Sequence, residues 1–250
     1  MPEFNPHNYV PAENLLEGRV ILVTGAGAGI GRAAAMTFAK HGATVALLGR
    51  TLRKLETIYD EIIEAGYPRP SLAPIDLGKA DGPTFFELAD SIRNEFGRLD
   101  GLLHNAGILG HKTPLEHYDV KTWAEVMHIN LTVPFVMTQT LLPLLRESKD
   151  ASVVFTTSSV GRKGRAYWGA YAVSKFGTEG LSQTFADELS NENIRVNCIN
   201  PGRTRTAMRK AAYPGEDPST VPAPEEVLGP YLYLLGPDSK DVTGQSLDAQ

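Results

Sequence analysis

The chain has 250 residues, 42% of them hydrophobic and 21% charged, with a formal net charge of −5. That is enough apolar material for one large α/β domain or two small ones. The acidic balance does not indicate non-specific binding to nucleic acid, and no apolar run approaches the ~20 residues that span a bilayer.

Residues 1–17 carry Pro2, Pro6 and Pro11 and lack a basic segment followed by an apolar one. They do not read as a signal peptide, and residues 1–18 are expected to form an N-terminal extension. Residues 19–24 are a short apolar run that ends in a glycine-rich turn. Residues 29–40 have helical composition, closed by His41-Gly42. A second buried strand is expected at 43–48. Leu52, Leu55, Ile58, Ile62 and Ile63 then mark a helical stripe over 52–65, stopped by Gly66. A short strand at 72–75 follows, then a helix over 84–96 ended by Gly97, and a fourth strand at 99–104. Residues 121–146 read as mostly helical despite Pro134 and Pro143. A strand at 153–157, a long helix at 170–189 and a strand at 194–200 come next. A final helix is expected at 224–235 and a last strand near 244–247.

Buried strands joined by crossover helices predict a parallel sheet covered on both faces, here a doubly wound, Rossmann-type α/β fold in a single domain over 19–250. Ligands in such sheets bind outside the carboxyl ends of the strands. The single cysteine, Cys198, lies in a strand-like run and excludes an intramolecular disulfide, so a buried inert thiol is expected. The six histidines show no zinc-like spacing. A soluble cytoplasmic protein without a metal follows as the simplest account.

Thr24-Gly25-Ala26-Gly27-Ala28-Gly29-Ile30-Gly31 follows the first strand and opens a helix. Glycines let the backbone approach a pyrophosphate, and the helix N-terminus presents free N–H groups to it. The alternative is a tight strand–helix turn with no ligand. The second strand ends Leu47-Leu48-Gly49-Arg50. A carboxylate here would favour the unphosphorylated dinucleotide. Arg50 instead can pair with a phosphate, which predicts NADP(H) over NAD(H). Arg53 and Lys54 read as an ordinary solvated helix face.

Tyr171-Ala172-Val173-Ser174-Lys175 puts a phenol and an ammonium one helical turn apart, on one face. A nearby cation stabilises a phenolate, which suits proton exchange with an oxygen near neutral pH. The alternative is a helix surface carrying an amphipathic tyrosine.

Together these residues resemble the short-chain dehydrogenase/reductase (SDR) family over nearly the whole chain. Thr24 to Gly31 is similar to the family's TGxxxGIG turn, with Gly25, Gly29, Ile30 and Gly31 at the cofactor. Asp76 matches the acid that binds the adenine amino group. His104-Asn105-Ala106-Gly107 resembles NNAG, with His104 in place of the first asparagine. Asn130, Ser158, Tyr171 and Lys175 match the catalytic set. Asn200-Pro201-Gly202-Arg203-Thr204-Arg205-Thr206 resembles the segment that holds the nicotinamide, with Thr206 at the carboxamide and Pro201, Gly202 and Thr204 beside it. A narrower likeness is to the bacterial YciK-type oxidoreductases, carried by Trp168-Gly169-Ala170-Tyr171 and by residues 203–209; it names no natural substrate. The chain closes on Leu247-Asp248-Ala249-Gln250 without the family's common Gly-Gly, so either the tail differs or the sequence stops early.

The resemblance implies that Tyr171 donates a proton to a carbonyl oxygen while hydride passes from the nicotinamide. Ser158 would donate to the same oxygen, Lys175 would bind the ribose and stabilise the phenolate, and Asn130 would hold a water leading to solvent. Bringing a phenol to neutrality requires about 4 kcal/mol. Ser159 is set aside because neighbours on a strand face opposite ways; Ser174 is expected to pack. Residues 161–168 and a lid at about 207–222 should frame the substrate. Arg162, Lys163, Arg165, Arg203, Arg205, Arg209 and Lys210 there raise the expectation of an anionic substrate, against the alternative of solvated loop charges or subunit salt bridges. The substrate is expected to be a small carbonyl compound or alcohol. A 3-oxoacyl-thioester reductase and a non-catalytic dinucleotide-binding regulator are the competing readings. No Gly-x-Ser-x-Gly elbow supports a serine hydrolase. The long helices at 121–146 and 170–189 imply a homodimer or homotetramer.

Overall fold

The computed structural model describes residues 9–250; the first eight residues of the expected N-terminal extension lie outside the described residues. Seven strands form one parallel sheet in the order β3-β2-β1-β4-β5-β6-β7. They are β1 Val20–Thr24, β2 Thr44–Leu48, β3 Ser71–Ala73, β4 Gly101–His104, β5 Ala151–Thr156, β6 Ile194–Asn200 and β7 Ser246–Asp248. The helices are α1 Gly29–Lys40, α2 Leu52–Glu64, α3 Gly82–Phe96, α4 Val120–Met127, α5 Val133–Arg146, α6 Gly169–Glu188, α7 Ala207–Ala212 and α8 Gly229–Leu235.

The two-residue period of β1 divides the core. Ile21 and Val23 pack with α1, α2 and α8, whereas Val20 and Leu22 point to the other face, with α3, α5 and α6. Every residue of β1 is buried, as expected of a central parallel strand. Leu15 and Leu16 join the α1 side of the core, so residues 9–18 pack on the domain. The sheet order reverses beside β1, which pairs with β2 on one edge and β4 on the other. That is where a doubly wound sheet opens a crevice.

Two elements differ from expectation. The helix foreseen over 121–146 is interrupted by a π-helical turn, His128–Thr132, between α4 and α5. Pro134 falls in the first turn of α5, where its missing N–H costs no ladder bond. The final helix is shorter, with a 3-10 turn Pro224–Val227 preceding α8. At the far end of the strands Arg19 and Arg195 share Asp150, each at 3.1 Å, and Arg98 meets Asp100 at 3.0 Å.

Candidate active site

A cleft of about 480 Å³ opens at the carboxyl ends of the strands. Its floor begins at the turn after β1. The Thr24 hydroxyl accepts from the N–H groups of Asn105 (2.9 Å) and Ala106 (3.0 Å), stapling the end of β1 to the end of β4. Gly25 and Gly29 have φ of 70° and 55°, which a side chain would strain. Gly31 is different. It does not line the cleft; a Cβ there would collide with the Gly25 carbonyl and come within 2.6 Å of Asn105 Nδ2. The absence of a side chain there lets α1 close on the turn.

Gly25, Gly29, Ile30, Arg50, Asp76, Asn105, Ala106, Gly107, Pro201, Gly202, Thr204 and Thr206 all line this cleft, with Ser158, Tyr171 and Lys175. Lys54 does so too, beside Arg50, and is therefore not the purely solvated residue its helix position suggests. Arg53 is exposed and outside the lining, as expected. Asp76 accepts from the Gly78 N–H at 3.1 Å.

Asn130 lies behind the wall, buried in the π-helical turn. Its Oδ1 accepts from the Ile108 N–H (2.8 Å), and its Nδ2 donates to the Ile108 carbonyl (2.9 Å) and to Ser174 Oγ (3.1 Å). Ser174 in turn donates to the Tyr171 carbonyl at 2.8 Å. The Asn130 side-chain amide is thus engaged by protein groups on both its atoms. Ser174, expected only to pack, ties Asn130 to the Tyr171 turn of α6.

Lys175 Nζ donates to the Thr156 carbonyl at 2.7 Å and lies 5.7 Å from the Tyr171 ring centre. Burial pushes the Tyr171 phenol up to about 12, partly offset by its hydrogen bond with Ser158. Burial pushes the Lys175 ammonium down to about 8. In the chain alone desolvation outweighs the expected phenolate stabilisation. Ser158 lines the cleft and Ser159 is exposed. The reason is not strand alternation, because β5 ends at Thr156 and Ser158 caps a 3-10 turn.

His104 is buried, stacks on Phe155 with ring centres 4.7 Å apart, and shares a 2.8 Å hydrogen bond with Thr138. Burial first, and then the Lys175 charge, push it down to about 3, so it stays neutral. Cys198 is buried and its thiol is pushed up to about 12, chiefly by desolvation.

Two of the cations expected at the mouth, Arg162 and Arg209, are matched by carboxylates within the protein. Arg162 turns to the C-terminal strand, donating to Asp248 (2.8 Å) and Ser246 (2.7 Å) and pairing with Glu179 at 3.3 Å. Arg209 lines the cleft but is held by Glu216 through two 2.6 Å bonds. Two residues without a motif also meet here. Lys112 Nζ donates to the Ala212 carbonyl at 2.9 Å and sits over the rings of Trp168 and Tyr213. Gln250 Nε2 donates to the carbonyls of Pro201 (2.6 Å) and Arg203 (2.9 Å), bracing the segment around Gly202. Among the described residues no helix is long and apolar enough to cross a membrane, and no cluster of His, Cys, Asp or Glu could hold a metal.

A family model described as short chain dehydrogenase matches residues 19–217. The oxidoreductase YciK of Escherichia coli (strain K12) is 50% identical over 243 residues, covering 97% of this chain and 96% of that protein. Among solved structures, a short chain dehydrogenase from Pseudomonas syringae is 55% identical with a TM-score of 0.96, covering 97% of this chain and 99% of its own. Another, from Escherichia coli CFT073 and complexed with NADPH, is 50% identical with a TM-score of 0.94, covering 96% of this chain and 100% of its own.

Proposed function

This chain belongs to the short-chain dehydrogenase family, and from that premise we propose that it transfers a hydride between NADP(H) and the carbonyl or carbinol carbon of a small molecule. The carrying observation is that Ser158, Tyr171 and Lys175 converge on one end of a cleft whose other end holds Arg50, Lys54 and Asp76.

The residues fit the cofactor. The glycine turn leaves room for a pyrophosphate where a Cβ at Gly25 would lie 3.1 Å from the Ala106 backbone. Arg50 has no ion-pair partner among the described residues, and no carboxylate ends β2, which supports a 2′-phosphate there. A relative's complex with NADPH supports the same choice. NADPH, when bound, supplies the hydride. Asp76 would take the adenine amino group, and residues 201–206 the nicotinamide.

Tyr171 is the general acid. A phenol pushed up to about 12 is fully protonated at neutral pH, which suits donation to a carbonyl oxygen. Ser158 donates to that same oxygen as charge develops. Lys175 stands behind the phenol and stabilises the phenolate once the proton has left. Asn130 acts by position, fixing the Ile108 backbone and the Tyr171 turn. Residues 207–222, including α7, form the substrate lid.

Tyr171→Phe should cut NADPH-dependent carbonyl reduction about 100- to 10,000-fold while NADPH binding, read by fluorescence, stays within about twofold. Unchanged turnover would remove Tyr171 from the reaction. Arg50→Asp should lower the NADPH-to-NADH preference in kcat/KM about 10- to 100-fold, the worth of one charge-assisted contact. An unchanged preference would remove Arg50 from the phosphate site.

A further inference from the structure

At the substrate end of the cleft the wall beside Tyr171 is apolar. Leu109, Trp168 and Met208 pack with Val160 and Tyr171, and each of the three lines the cleft. Trp168 stands 5.7 Å from Tyr171, ring centre to ring centre, and 6.0 Å from Tyr213. Between Trp168 and Tyr213 sits Lys112, its Nζ 4.7 Å from one ring centre and 4.5 Å from the other. Lys112 also donates to the Ala212 carbonyl, so one ammonium ties the loop after β4 to the end of α7. Beyond it, Arg209 lies flat on Tyr213, 3.9 Å from the ring centre. The row Trp168, Lys112, Tyr213, Arg209 forms a roof in which Trp168 and Arg209 line the cleft, while Lys112 and Tyr213 stand outside its lining and brace them. Tyr167, immediately before Trp168, is the non-glycine residue with a left-handed backbone (φ 71°) among those described. Such a conformation is unfavourable for a residue with a side chain and persists where surroundings enforce it.

The charges of this roof face inward. Glu216 chelates Arg209 and keeps its guanidinium more firmly protonated, and Arg209 holds the Glu216 carboxyl below its ordinary value. Lys112 is occupied by two rings and a carbonyl. Arg205 and Lys210 border a neighbouring cavity, as do Tyr213 and Glu216, so Arg209, which borders both, is the cation of this group that reaches the cleft. An anion placed against Trp168 would lose water and gain only a guanidinium already matched by a carboxylate.

We propose that this site selects an uncharged carbonyl compound carrying a flat apolar group that packs beneath Trp168, with Glu216 and Lys112 as specificity-determining residues. The proposal rests on the hydride-transfer reading above. Glu216 sets it by cancelling Arg209, and Lys112 by holding the roof in place.

The test compares two ketones of one shape, methyl 4-acetylbenzoate and 4-acetylbenzoate. Binding to NADP+-saturated protein is read by saturation-transfer NMR, and hydride transfer separately by NADPH absorbance. The ester should bind at least tenfold more tightly than the carboxylate. Glu216→Gln should shift that ratio toward the carboxylate about tenfold or more, and Lys112→Met should weaken ester binding several-fold while NADPH affinity holds. Equal binding of the two ketones, or tighter binding of the carboxylate by the unmodified protein, would overturn the proposal. Ester binding without any NADPH oxidation would instead overturn the hydride-transfer reading and leave the ligand class supported.

Discussion

Lys175 shows the conflict between stability and chemistry most directly. Its ammonium is buried, and desolvation lowers it from 10.5 to about 8. Between those values the unfolded chain binds a proton that the folded chain does not. Folding therefore loses stability as pH falls from 10.5 to 8, and the cost, roughly 3 kcal/mol, is fully present below pH 8. Lys175→Met should raise the melting temperature of the cofactor-free protein at pH 7 by several degrees, while abolishing turnover. The gain should vanish as pH approaches 10.5. Thermal melts at pH 7 and pH 10.5 measure it, and a lower melting point at pH 7 would mean that the bond to the Thr156 carbonyl outweighs the desolvation.

At the scale of elements, the π-helical turn His128–Thr132 matters most, because it carries Asn130 inward. Asn130→Ala leaves the part-buried Ile108 amide and carbonyl without their protein partner, and each such group costs up to about 1–3 kcal/mol. The expected result is a melting temperature lower by about 5–10 °C and a fall in kcat larger than any change in NADPH affinity. Calorimetry and steady-state kinetics together check it. The alternation of strands and helices was legible in the sequence, because apolar runs of period two and stripes of period 3.6 leave a local record. β6 and α1 begin and end where their residues suggest. A π-helical turn leaves no such record: it inserts no proline or glycine at Asn130, so residues 121–146 read as one helix. The same holds for the site. Tyr171, Lys175 and the glycine turn announce themselves by local spacing. Lys112 and Gln250 do not, since each acts through partners remote in sequence that only the fold brings near. Arg162 errs in the opposite sense. It lies outside the cleft lining, because Glu179 and Asp248 capture its side chain.

Across the whole molecule, the sheet, the cleft and the two packed faces account for the buried residues but not for a patch on the outside. Phe135 on α5 and Val173 and Phe176 on α6 are each more than 40% exposed, at 41%, 41% and 46%. Large apolar groups gathered on adjoining helices mark an association surface. A homo-oligomer is the expected state in light scattering, and Val173→Asp with Phe176→Asp should drive it toward monomer; a monomeric parent protein would refute this. The placement of these residues has a further consequence. Val173 sits between Tyr171 and Lys175 in sequence, so α6 shows Tyr171 to the cleft and its apolar stripe to the outside. Anything that grips the outer stripe also steadies the helical turn that aims the phenol. Specific activity should therefore fall on dilution below the dissociation constant of the oligomer, and recover on concentration, with no change in the reacting groups themselves.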